Sequence, residues 1–136
     1  MFNHALIIDD DPINNYLCEK ILDHSEIVKK VTTFDDPIAA FEFLNYSIEN
    51  QDFPDLILLD LNMPNLDGWA FLEKYKTLPI EKILETKLCI LTSSVDHKDQ
   101  EKAQQYESIS GFFQKPLKIE YIKKISAYNT FNRFMP

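Results

Sequence analysis

The sequence predicts a doubly wound α/β fold, a five-stranded parallel sheet with helices packed on both faces. Three observations carry the prediction. Short apolar runs alternate with amphipathic stretches along the chain, the runs have the length and composition of strands buried on both faces, and Asp-Pro pairs open the first two amphipathic stretches as helix starts. Parallel neighbours need crossover connections, and helices supply them with a right-handed sense.

The first strand candidate is ALII, Ala5 to Ile8. In the following DPINNYLCEKIL, Asp11 is the N-cap and Pro12 the first-turn proline, whose missing N–H costs nothing there. Ile13, Leu17 and Ile21 then recur at helical spacing as that helix's apolar face. VKKVTTF, Val28 to Phe34, is the second strand, and DPIAAFEFLNYSI the second helix, with Ile38, Phe41, Leu44 and Ile48 at the same spacing. DLILL, Asp55 to Leu59, is the third strand, followed after Gly68 by a helix carrying Trp69, Leu72 and Tyr75. The stretch YKTLPIEKILETK is long for a connection, so Pro79 ends that helix and a short helical extension follows. KLCILT, Lys87 to Thr92, is the fourth strand. The fourth helix, VDHKDQEKAQQYE, is mostly polar, anchored by Val95, Ala103 and Tyr106. GFFQ, Gly111 to Gln114, is the fifth strand, and a fifth helix carries Leu117, Tyr121, Ile125 and Tyr128.

Composition narrows the function classes. At 136 residues and 45% hydrophobic, the chain suits one domain with a real core and shows no repeat, low-complexity tract or linker. No run of about 18 apolar residues is present and the N-terminus lacks a secretion signal, which predicts a cytoplasmic protein. Cys18 and Cys89 lie in apolar segments without metal-ligand spacing and are read as buried, reduced thiols. The net charge of −8 argues against nucleic-acid or anionic-lipid binding and for protein partners.

The polar residues fall at one edge of this predicted sheet. Asp9 and Asp10 follow the first strand, Asp60 the third and Lys115 the fifth, while Thr92 ends the fourth; in open α/β sheets ligands bind beyond these carboxyl ends. Two unit charges about 4 Å apart repel by roughly 4 kcal/mol at an effective dielectric near 20, so three gathered carboxylates call for a cation. Oxygen ligands without histidine or thiolate favour a hard divalent ion, Mg²⁺ above all. Together with Lys115 it would also suit a phosphoryl group carrying about −1.5 to −2 charge.

LIIDDDP, LLDLNMPNLDG, ILTSS and GFFQKPL, in that order at the strand ends, resemble the receiver domain of two-component response regulators, the CheY-like family. The resemblance covers residues 1–128 as receiver and leaves 129–136 as a tail. It implies a flavodoxin-like sheet of order 2-1-3-4-5 with five helices. Asp60 is then the phosphoacceptor, Asp9, Asp10, Asp60 and the Asn62 carbonyl hold Mg²⁺, Thr92 and Lys115 contact the phosphoryl group, and Thr92 and Phe112 form the switch. Pro116 matches a proline whose preceding bond is commonly cis. The donor would be a histidine kinase or histidine phosphotransfer protein, and the target a protein at the face of the fourth helix, fifth strand and fifth helix. The family reading is a signalling protein rather than an enzyme, stand-alone or cut from a longer chain, and a monomer or phosphorylation-dependent dimer.

Taken singly the residues have plainer roles: Asp11 is a cap, Ser93 and Ser94 cap the next helix, Phe112 is core, and His4, His24 and His97 are satisfied or surface histidines. Two rival readings remain. A phosphorylation-independent scaffold would be expected to lack an acid or the lysine, and a dehalogenase-type phosphatase wants a second Asp where Asn62 stands. Neutral Asn62 and Ser94, at positions that tune acyl-phosphate hydrolysis in the family, leave its lifetime open.

Overall fold

The apolar runs become strands of one parallel sheet, ordered β2-β1-β3-β4-β5. In this computed structural model the described residues are 1–63, 66–94 and 96–127. Pro64, which the sequence places in the loop beyond Asp60, the predicted anchors Val95 and Tyr128, and the tail residues Phe131, Phe134 and Met135 lie outside them. The elements run β1 (Phe2–Ile8), α1 (Pro12–Ser25), β2 (Val28–Phe34), α2 (Pro37–Glu49), β3 (Leu56–Leu59), α3 (Gly68–Tyr75), α4 (Ile80–Glu85), β4 (Lys87–Thr92), α5 (His97–Ala103), β5 (Ile109–Gln114) and α6 (Ile119–Ala127).

The helices number six among the described residues rather than five, because the short extension beyond Pro79 is a separate helix, α4. The fourth and fifth helices of the sequence reading are therefore α5 and α6. β1 starts at Phe2, not Ala5, since polar His4 is buried within the strand. Asp55 stands before β3, where its carboxylate accepts the backbone N–H groups of Asn3 and His4.

Successive strand residues point to opposite faces, and both faces are covered. Leu6, Ile8, Ile57, Leu59 and Ile90 lie in one apolar cluster, while Ala5, Ile7, Leu56, Leu58 and Leu91 lie in another. That two-sided burial is why the strands read as unbroken apolar runs. Cys18 and Cys89 are buried and free; burial, with the nearby Asp9 charge, pushes the Cys18 thiol up to about 11.

Asp11 and Asp36 cap α1 and α2 as their Asp-Pro signatures predict. The apolar face of α1 departs from prediction. Ile13 and Leu17 are 69% and 53% exposed, and only Ile21 of the predicted stripe packs against the core. Asn15, Cys18 and Leu22 are buried instead. The Asn15 amide donates to the carbonyls of Asp9 at 2.8 Å and Phe34 at 3.4 Å. Satisfying those two strand-tip carbonyls sets the roll of the helix and turns Ile13 and Leu17 outward. In α2, Leu44 is buried whereas Ile38 is exposed. α3 buries Leu72 and Tyr75 and α6 buries Ile125 as predicted, while the predicted Leu117 is buried just before α6 begins.

α5 is thinly held, since Ala103 is its one buried residue; α4 likewise buries only Ile83. Tyr106, just beyond it, stacks on Trp69 of α3 with centroids 5.7 Å apart and donates its hydroxyl to Glu73. No helix among the described residues is long and apolar enough to cross a membrane.

Candidate functional site

The parallel ladder continues past the strand ends and carries the polar residues with it. The Asp9 N–H donates to the Phe34 carbonyl at 3.1 Å, the Asp60 N–H to Ile8 at 2.9 Å, and the Lys115 N–H to Thr92 at 2.8 Å. Residues from three separate loops are thereby held by backbone at one edge of the sheet.

One carboxylate oxygen from each of Asp9, Asp10 and Asp60 lies within 4.8 Å of the others. Asp9 and Asp60 are buried and Asp10 is exposed. The Lys115 ammonium lies 2.6 Å from Asp9 Oδ2 and 3.7 Å from Asp60 Oδ2. Asp9 is engaged at both oxygens: Oδ1 accepts the Asp11 N–H at 2.9 Å, and Oδ2 accepts the Asn14 amide at 2.7 Å as well as Lys115. Asp60 is not. Its Oδ1 is buried without a hydrogen-bond partner among the described residues.

Burial raises the Asp60 carboxyl to about 6, with the neighbouring Asp9 charge adding to it; Lys115 and the Asn62 backbone hydrogen bond pull it back only in part. For Lys115 burial opposes the charge, but its hydrogen bond to Asp9 and the nearby carboxylates outweigh that, so its ammonium is held above the ordinary lysine range. The acidic cluster is thus partly neutralised by one lysine and still rejects one more negative charge.

The surrounding residues shape the edge. A Cβ on Gly68 would lie 2.6 Å from the Asp60 carbonyl oxygen and 2.8 Å from Leu61 Cα, so α3 can start this close to the strand end only with glycine there. The Lys115–Pro116 bond is cis. Thr92 is fully buried, its hydroxyl oxygen accepting the Ser94 N–H at 3.3 Å. Phe112 is buried in the same apolar cluster as Ala103 and Tyr106. Asn62 is exposed in the loop after Asp60. The cap of α5 is Asp96, not a serine; Ser94 instead donates to Asp99 at 2.7 Å.

The donor set suits a hard divalent cation: its side-chain ligands are carboxylate oxygens, none is histidine or thiolate, and one buried oxygen has no partner. The structure brings Asp9, Asp10, Asp60 and Lys115 together. Sequence reading overlooked Asn14 and Asn15, which brace Asp9 through side chain and backbone. The available signal was two adjacent amides in the first turn after an acidic pair, polar residues in a helix needing partners.

Comparison with known proteins adds independent findings. The family described as the response regulator receiver domain matches residues 5–127. The response regulator Rcp1 of Synechocystis is 33% identical over 104 residues, spanning 75% of this chain and 68% of that protein. A protein-glutamate methylesterase/protein-glutamine glutaminase of Burkholderia thailandensis is 32% identical over 62% of this chain, a match that spans only 22% of the enzyme's own length. Among solved structures, a two-component response regulator from Cytophaga hutchinsonii superposes with a TM-score of 0.87 at 28% identity, covering 92% of this chain and 94% of that one. The Mn²⁺-bound form of Rcp1 superposes with a TM-score of 0.71 at 27% identity, covering 90% and 88%.

Proposed function

We propose, from the premise that this chain belongs to the response regulator receiver domain family, that it accepts a phosphoryl group on Asp60 and thereby resets a protein-binding face. One observation carries the reading: Asp60 is a buried carboxylate with an unpartnered oxygen, set beside two further acids and a lysine.

Asp9, Asp10, Asp60 and the backbone carbonyl of Asn62 would hold Mg²⁺, which supplies charge neutralisation for both carboxylate and phosphoryl oxygens. The Mn²⁺-bound form of the related Rcp1 supports a divalent ion in this role. The donor is a histidine kinase or histidine phosphotransfer protein with phosphorus on an imidazole nitrogen. An Asp60 carboxylate oxygen attacks that phosphorus in line; a P–O bond forms as the P–N bond breaks, and the electron pair returns to the imidazole, which takes a proton from solvent. Lys115 pairs with a phosphoryl oxygen and Thr92 donates its hydroxyl to another. Attack of water on phosphorus later releases phosphate and restores the carboxylate, so the chain shares in its own dephosphorylation and acts as a signalling protein rather than a separate enzyme.

The output face is formed by α5, β5 and α6. α5 buries little and is cheap to move, and Thr92 and Phe112 border it from β4 and β5. Drawing Thr92 toward the phosphoryl group opens room for Phe112 to turn, a shift between two packings. The exposed Ile13, Tyr16 and Leu17 on α1, which begins just beyond Asp9 and Asp10, suit a protein donor. A net charge of −8 supports protein partners over nucleic acid or membrane. The reading includes a cytoplasmic location and a monomer that dimerises, if at all, on phosphorylation.

Intact mass after incubation with acetyl phosphate tests this directly. The expected result is one phosphoryl adduct requiring Mg²⁺ and lost in Asp60→Asn. A folded protein that takes no adduct would overturn it in favour of a phosphorylation-independent scaffold. Unchanged amide NMR shifts across α5, β5 and α6 on addition of a phosphoryl mimic would sink the switching step alone.

A further inference from the structure

The two ends of the Lys115 contact are unequal: the ammonium is 2.6 Å from Asp9 and 3.7 Å from Asp60. If Asp60 is the phosphoacceptor, on which this inference rests, Lys115 must shift from Asp9 toward the new phosphoryl oxygens. That shift would take the ammonium off Asp9 Oδ2, and a buried carboxylate oxygen that loses a hydrogen-bond partner is costly. Asp9 Oδ2, however, has a second partner. The Asn14 side chain, in the first turn of α1, donates to the same oxygen at 2.7 Å. The orientation of that amide follows from chemistry, because only its NH₂ end can face an ionised carboxylate. Asp9 Oδ1 is separately held by the Asp11 N–H, so the carboxylate cannot turn to compensate for a lost partner.

We infer that Asn14 is a positioning residue for phosphoryl transfer: its amide holds Asp9 Oδ2 while Lys115 moves from Asp9 to the phosphoryl group on Asp60. Without it, Lys115 is the only side-chain partner left to that oxygen among the described residues and stays on Asp9. The effect is specific to the amide donor and separate from any part of Asn14 in α1 packing. Asn15, beside it, bonds the Asp9 carbonyl rather than the carboxylate and takes no share in this role.

The test compares wild type, Asn14→Leu, a near-isosteric change that removes the donor, and Asn14→Gln, which keeps one. At saturating Mg²⁺ and acetyl phosphate, the rate of adduct formation by intact mass is expected to fall about tenfold in Asn14→Leu, the size of losing one hydrogen bond to a charged group, and to recover substantially in Asn14→Gln. Without metal or phosphodonor, the Lys115 ammonium signal in ¹H–¹⁵N spectra should shift in Asn14→Leu while the core backbone amides stay in place, a change that a purely structural role would not produce. A folded Asn14→Leu with wild-type rate and an unmoved Lys115 signal overturns the inference and leaves the phosphoacceptor reading standing. Wild type without an adduct overturns both. Should Asn14→Leu fail to fold, Asn14→Ala, which removes the donor without adding charge or bulk, is measured in its place against the same two outcomes.

Discussion

The two edges of the sheet hold buried polar groups in opposite ways. At the amino ends of the strands, His4 is buried with both ring nitrogens engaged: Nδ1 faces the Asp52 carbonyl at 3.1 Å and its carboxylate at 3.2 Å, and Nε2 lies 2.7 Å from the Thr32 hydroxyl. Lys30 pairs with the same Asp52, and its hydrogen bond is the main reason that this half-exposed carboxylate is held below its ordinary range. This cluster ties β1, β2 and the segment before β3 together and leaves its histidine nothing to bind. At the carboxyl ends, Asp60 is equally buried but has one oxygen unpartnered and a carboxyl raised to about 6. A closed cluster serves register and stability, whereas an open one keeps unfavourable energy that an incoming cation can relieve.

Breaking the open edge has the largest expected effect. Asp60→Asn should abolish the Mg²⁺-dependent adduct altogether, and an adduct of undiminished yield at another residue would put the acceptor elsewhere. The same carboxylate sets a pH dependence in metal-free protein. Its folded pKa is raised above the unfolded value, so the native state binds the extra proton between about 4 and 6. Its contribution is therefore fully present below that window and lost as pH rises through it, by about 3 kcal/mol for a shift near two units. Urea midpoints from pH 4 to 7 should show that decline in wild type relative to Asp60→Asn, and Mg²⁺ should reduce it; parallel curves for the two proteins would contradict the assignment.

Gly68→Ala probes the scaffold of the same edge. The new methyl would meet backbone at 2.6 and 2.8 Å, and forcing it in should cost about 1–3 kcal/mol while slowing adduct formation by displacing Asp60. An unchanged urea midpoint would mean that the α3 start can move away freely. His4→Leu sharpens the comparison from the closed side, with an expected loss of about 1–2 kcal/mol from removed hydrogen bonds and no change in adduct rate at matched folded fraction. A rate change there would couple the two edges. Tyr106→Phe, which removes the hydroxyl bond to Glu73, should cost about 1 kcal/mol or less and ease α5 out of its resting position, visible as amide shifts confined to α5 and its flanks.

Much of this contrast was legible in the residues. Strands buried on both faces must be continuous apolar runs, so LILL ending at Asp60 and ALII ending at Asp9 marked both the strands and the edge where carboxylates collect. Asp-Pro starts for α1 and α2 were equally readable, since capping is a contact within one turn. The faces of the helices were less so. Ile13, Leu17 and Ile21 keep helical spacing, yet spacing only states that a face is apolar, not that the sheet lies beneath it, and the Asn15 amide bonds to two strand tips turned α1 the other way.

Local chemistry along the chain decides what each element is and where it starts and stops, because propensity, capping and burial pattern act within a few residues. Folding decides which groups meet across elements. The Asn14 amide on Asp9, the unequal sharing of Lys115, the orphaned oxygen of Asp60, the closure around His4 and the glycine under the α3 start are all contacts between residues, or between atoms and space, that no periodicity encodes. They depend on angstrom-scale packing of segments distant in sequence, and that packing exists only once the sheet has formed.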